Sequence, residues 1–174
     1  MKILTIITIV LTLFFSILFL YGILQKDQNT IQTEINVDVP ESVVMNTLSD
    51  VNNYQRWCPM IFKSRFDESS TNGELTFRIG GHIFSLPFLY KNLPDQHTVI
   101  FMQKGVPTSG ALKDFTQSIL LTGLPDGTTN IQWQWQYQVK GLLSKVFNAL
   151  RIRSTFQKAL NRSAEALKKY LEHS

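Results

Sequence analysis

The side chains able to do covalent or acid–base chemistry are few and scattered. The chain has one cysteine, Cys58, and three histidines, His82, His97 and His173. Nucleophilic catalysis needs a thiol or hydroxyl beside an oriented base. Cys58 lies between Trp57 and Pro59 with no histidine near it in sequence, and reads as a small buried hydrophobe. His173 lies in the terminal tail, His97 follows a turn and reads as solvated, and His82 opens a strand after Gly80-Gly81. Metal binding needs clustered ligands at set spacing, and no histidine here has such a neighbour. A general acid or base inside a cavity would have to be His82, Tyr90 or Tyr137. None has an evident partner, so no catalytic residue is assigned. Arg56 and Arg78 could touch a guest only from the edge, because Arg78 alternates with Phe77 and Ile79 and so faces water. Asn161-Arg-Ser163 has the form of a glycosylation site but falls inside a helical pattern.

The denser pattern is apolar. Residues 131–139 read Ile-Gln-Trp-Gln-Trp-Gln-Tyr-Gln-Val, with every second position apolar or aromatic. Period two makes this a β-strand with one dry and one wet face. Trp133, Trp135 and Tyr137 therefore point to the same side. They either fill a solid core or wall a hollow one.

The elements that must position these rings follow from periodicity and turn chemistry. Residues 31–39 alternate like a first strand, with Ile31, Ile35, Val37 and Val39 on one face. Pro40-Glu41 opens a short helix ending near Asp50, and a second brief helix covers Val51 to Trp57 before Pro59. Strands follow over residues 61–67, 75–79, 82–89, 97–103, 115–122 and 131–139. They are punctuated by Ser69–Gly73, the hairpin dipeptide Gly80-Gly81, Asn92–Asp95 and Pro125-Asp-Gly127. Phe156, Leu160, Ser163/Ala164, Leu167 and Leu171 then recur at three and four, an amphipathic helix preceded by Leu143, Val146, Phe147 and Leu150. The order predicts an α+β fold: a curved antiparallel sheet whose concave face is covered by the long C-terminal helix.

Ahead of this domain, Ile3 to Leu24 contains no charged residue. As a helix it would be roughly 33 Å long, against a hydrocarbon core of about 30 Å. The run is longer than a signal-peptide core and ends Phe-Leu-Tyr-Gly-Ile-Leu, without a small-x-small cleavage site. It is read as a single transmembrane anchor spanning Ile3, Leu13 and Leu24. The chain divides into residues 1–25 as anchor, 26–30 as linker and 31–174 as the folded domain. Lys2 before the span, and Lys26 and Asp27 followed by Glu34, Asp38 and Glu41 after it, favour an extracytoplasmic domain.

Residues 36–50, Asn-Val-Asp-Val-Pro-Glu-Ser-Val-Val-Met-Asn-Thr-Leu-Ser-Asp, followed by Trp57-Cys-Pro59, resemble the opening of the START-like, or SRPBCC, superfamily. That group includes the polyketide cyclase/dehydrase-type proteins and the Bet v 1 allergens. Residues 139–145 and 163–172 look like its last strand and lid helix, so the resemblance spans roughly residues 31–172. It implies the helix-grip fold, a sheet gripping a long C-terminal helix around an internal cavity that binds lipids, sterols or polyketides. On that expectation the cavity is lined by Trp57, Phe77, Ile79, Phe84, Leu86, Phe101, Phe115, Trp133, Trp135, Tyr137 and Phe147.

Residues 140–174 carry eight basic side chains against two acidic ones, so this segment is +6 and the rest of the chain −2. Without interleaved aromatics that helix does not read as a nucleic-acid binder. Its charge is a solvated face, or an attraction to anionic headgroups beside the anchor. The leading expectation is a membrane-anchored binding or carrier domain for a hydrophobic small molecule or lipid, held to the membrane through residues 3–24. It needs no cofactor, metal or nucleic acid, and no protein partner is legible. The alternatives are a cyclase or dehydrase acting in the same cavity, and a module that binds another protein.

Overall fold

The computed structural model describes residues 2–67, 71–104 and 112–173. An apolar helix α1 (Lys2–Leu24) leads into strand β1 (Gln28–Val37), helix α2 (Glu41–Ser49) and a 3-10 turn (Val51–Arg56). Six strands follow: β2 (Ile61–Phe66), β3 (Asn72–Ile79), β4 (His82–Leu93), β5 (Thr98–Gln103), β6 (Leu112–Gly123) and β7 (Thr129–Val139). The chain closes with α3 (Leu142–Phe147), a π-helical turn (Asn148–Ile152) and α4 (Arg153–Glu172).

The strands form one antiparallel sheet in the order β1-β7-β6-β5-β4-β3-β2. Consecutive strands from β2 to β7 are neighbours in the sheet, and β1 closes onto β7. Along β7 Ile131, Trp133, Trp135, Tyr137 and Val139 are buried, while the intervening glutamines face outward. On α4 Phe156, Leu160, Ser163, Ala164, Leu167 and Leu171 are buried against the inner face of the sheet. This is the helix-grip arrangement expected of an amphipathic helix covering the apolar side of a bent sheet.

Several boundaries differ from the sequence reading. β1 begins at Gln28, so the polar residues Gln28–Thr30 belong to the sheet and pair with Gln138, Tyr137 and Gln136. They have no apolar period of their own, and the partner strand sets their conformation. β4 runs on to Leu93, and the turn is made by Pro94–Gln96. The turn expected over Ser69–Gly73 falls partly on residues 69–70, outside those described, and Asn72 and Gly73 already lie in β3.

α1 is not a core helix: Ile3 is 76 %, Leu13 59 % and Leu24 79 % exposed. Thr5–Leu24 has a mean hydropathy of 2.6, long and apolar enough to cross a membrane. A shallow concavity between Thr8 and Leu20 has only this helix's own side chains for walls. The C-terminal end of α1 packs on α3, where a Cβ at Gly22 would stand 2.7 Å from Leu142 Cδ1 and 3.0 Å from Val146 Cγ2.

Candidate functional site: an apolar groove between a hairpin and the lid helix

The site begins with two glycines. Gly80 and Gly81 have φ of 59° and 83°, the left-handed pair that a two-residue turn matching strand twist requires. The turn brings the β3–β4 hairpin against α4 so closely that a Cβ on Gly80 would meet Thr155 Cγ2 at 3.0 Å. Beside this contact the hairpin and the helix part to form an open groove of about 510 Å³. Its walls are Ile79, Gly80, His82, Phe84, Phe147, Arg151, Ile152, Thr155 and Phe156.

Ile79, Phe84 and Phe156 also wall a small enclosed space behind the groove, completed by Phe77, Leu86, Phe115 and Trp135. That space measures only about 10 Å³, room for roughly one water. The rings around it are in contact. Phe77 stacks on Phe84 at 5.4 Å, and Trp135 meets Phe115 edge-on at 5.2 Å and Phe156 at 5.7 Å. The interior is therefore close-packed, and the open volume lies at its mouth.

The sequence-predicted lining residues divide accordingly. Phe77, Ile79, Phe84, Leu86, Phe115 and Trp135 surround the inner space, and Phe147 stands on the outer groove. Trp57, Phe101, Trp133 and Tyr137 border neither. Trp57 packs on Tyr54 at 4.7 Å and on Trp133 at 6.1 Å, and Phe101 packs on Tyr54 at 5.6 Å. Period two assigns Phe101, Trp133 and Tyr137 to one face of their strands but says nothing of how closely that face is covered. Arg151, Ile152, Thr155 and Phe156 were missed. Phe156 was legible only as part of the helical stripe, and the other three become groove walls because the hairpin reaches them.

The polar groups fall into three sets. His82 and Arg151 share the groove rim, and across Gly80 a smaller recess of about 200 Å³ is bordered by Arg78, Lys158 and Arg162. Arg78 lies over the Phe62 ring at 4.3 Å. Arg56 is exposed and borders neither space.

Deeper in, Trp135 Nε1 donates to Gln117 Oε1 at 2.9 Å. Gln117 Nε2 and Trp133 Nε1 are buried N–H donors with no acceptor among the described residues.

Tyr137 donates to Asn148 Oδ1 at 3.0 Å, and Asn148 Nδ2 donates to Asn29 Oδ1 at 2.9 Å. This bridge fixes the buried Asn148 at the start of the π turn, where an inserted residue lets the side chain point inward.

The groups weighed for catalysis do not converge. Burial pushes the Tyr137 phenol up to about 12 against the lowering effects of Arg153 and Asn148. Tyr90 is also raised by burial and packs on Phe101 at 5.1 Å, away from the groove. Burial pushes the Cys58 thiol up to about 12, so it stays neutral and unreactive at ordinary pH. The His97 side chain, at a left-handed φ of 51°, is 56 % exposed and paired with Glu41 on the outer surface. His173 bonds the Lys169 carbonyl in the tail. Asn161 is exposed on α4 but Ser163 is buried. No group of three or more metal-ligating side chains gathers among the described residues. What the site offers is apolar surface with a cationic rim.

The fold is shared with proteins of very different sequence. The Zhui aromatase/cyclase from Streptomyces sp. R1128 superposes with a TM-score of 0.73 at 13% identity, over 83% of this chain and 94% of that one. A START superfamily protein from Mycobacterium smegmatis gives 0.65 at 16% identity, over 82% and 97%. The major latex-like protein 151 of Panax ginseng gives 0.67 at 8% identity, over 86% and 100%. No curated protein matches the chain by sequence. Residues 28–172, the whole of the sheet and its lid helix, match the family described as polyketide cyclase / dehydrase and lipid transport, and the chain belongs to that family.

Proposed function

We propose that this protein is a membrane-anchored binding or carrier domain for a hydrophobic small molecule or lipid. The observation that carries the reading is the apolar groove of about 510 Å³, which shares three walls with the aromatic pocket behind it. Ligand sites of this size are mostly apolar with a few placed polar groups, and His82 and Arg151 stand at the rim in that role. A guest sits in the groove, and movement of the Phe84 and Phe156 rings admits its narrower end. α1 spans the membrane with the domain on the extracytoplasmic side, so that the guest is loaded at high local concentration.

Native mass spectrometry of the full chain released from detergent tests this directly. A co-purified apolar molecule is expected. Thr155→Trp, which fills the groove wall, should weaken binding of an anilinonaphthalene probe at least about tenfold, or ~1.4 kcal/mol. Absence of any guest, together with probe binding that Thr155→Trp leaves unchanged, would end the proposal. Protease protection in spheroplasts reports the side of the membrane: degradation of the domain from outside is expected.

One observation favours a second reading, a cyclase or dehydrase in the same groove: His82 and Arg151 share its rim. If an apolar polyketone offered to the full chain is converted, and His82→Gln abolishes conversion but not binding, catalysis replaces carriage as the function.

A further inference from the structure

Three large apolar side chains near the groove remain mostly exposed: Leu143 is 74 %, Phe147 64 % and Leu150 65 % exposed. Leu143 and Phe147 lie one turn apart on α3, and Leu150 continues their stripe into the π turn. The opposite side of α3 is occupied. Leu142 and Val146 pack on Gly22 near the end of α1, and Lys145 is ion-paired with Asp27. The link is reinforced where Val139 N–H donates to the Asp27 carbonyl at 2.8 Å. α3 is thereby fastened where the apolar run of α1 ends, with Leu143, Phe147 and Leu150 left exposed.

The charge around the stripe is one-sided. Residues 140–153 contain Lys140, Lys145, Arg151 and Arg153 and no acidic residue. Lys145 is engaged by Asp27, which leaves Lys140, Arg151 and Arg153 exposed beside the apolar residues. An apolar stripe flanked by lysine and arginine is the composition of a helix lying in a membrane interface. A second copy of this face would instead bring the same cations against each other.

We infer that α3 and the π turn lie in the headgroup layer of an anionic lipid monolayer where α1 emerges, with Leu143, Phe147 and Leu150 inserted. Phe147 also walls the groove, so the groove mouth opens onto the lipid surface. The inference rests on α1 being a span, as proposed above, and not on the groove holding a guest.

The test uses the full chain in phosphatidylcholine vesicles containing phosphatidylglycerol and doxyl-labelled lipid. The buried, neutral thiol of Cys58 leaves an introduced cysteine as the site that takes a nitrobenzoxadiazole label. Leu143→Cys, Phe147→Cys and Leu150→Cys are compared with Asp126→Cys, in the exposed turn joining β6 to β7 at the opposite end of β7 from α3. Phe14→Cys reports the span itself. Doxyl quenching several-fold stronger at the three stripe positions than at Asp126, and falling when phosphatidylglycerol is omitted, is the expected result. Quenching equal to that at Asp126 overturns the inference. So does quenching indifferent to phosphatidylglycerol, or a label shielded from aqueous iodide yet untouched by doxyl groups, the mark of a protein partner. An unquenched Phe14→Cys label overturns both the span and the inference. Strong stripe quenching in a chain that carries no guest retains the inference and removes only the binding reading.

Discussion

At the residue scale, the interior is governed by where polar atoms find partners. Cys58 is the clearest titrating group. Its thiol is raised by burial from 9.0 to about 12 in the folded chain, so its neutral form stabilises the fold below pH 9 and that contribution is lost as pH rises towards 12. Tyr137 acts in the same direction above its ordinary value of 10.0. The unfolding free energy from urea melts should therefore fall between pH 8 and pH 10, by about 1 kcal/mol from Cys58 alone. Cys58→Ala should flatten that part of the profile whatever it does to stability at pH 7. Gln117 offers a second test. Gln117→Leu strands the Trp135 indole N–H and should cost about 1–3 kcal/mol. The double change with Trp135→Phe should cost less than the sum of the two singles, read from a double-mutant cycle of denaturant melts.

At the element scale, the π turn and the glycine hairpin shape the groove. Asn148→Ala removes the acceptor of Tyr137 and the donor to Asn29, and should lower stability by about 2 kcal/mol in thermal or urea melts. The two features were not equally legible in the sequence. Gly80-Gly81 announces a two-residue turn because only glycine adopts two left-handed conformations in succession without cost. Asn148 looks like any polar residue in a helix, and its inward turn depends on Tyr137 and Asn29, distant in sequence. The buried stripe Phe156, Leu160, Ala164, Leu167 and Leu171 was legible because burial on α4 follows helical spacing. Leu160→Ala, at a position fully buried against the sheet, should cost about 2–5 kcal/mol by the same melts.

At the scale of the whole molecule, the contact between α1 and α3 is closest at a small residue, Gly22. A side chain at Gly22 collides with Leu142 and Val146, so Gly22→Leu should release α1 from α3. Tryptic cleavage at the exposed Lys26 should then quicken several-fold in detergent, while the domain's melting temperature stays unchanged. Phe147 shows why this contact is not legible in the sequence. Sequence placed it inside with the other rings, but α3 turns Leu142 and Val146 towards α1 and leaves Phe147 64 % exposed on the groove.

The sequence by itself determined which residues share a face, where the turns fall and that an uncharged run of membrane-spanning length precedes the domain. Those are local facts, set by periods of two and 3.6 and by the backbone freedom of glycine and proline. Whether the aromatic face encloses a hollow was decided only by tertiary structure. The distance between sheet and helix depends on how rings from β3, β4, β6, β7 and α4 interlock, and no single segment records it. That packing closes the centre to about 10 Å³ and leaves the usable space at the hairpin, beside the exposed stripe of α3.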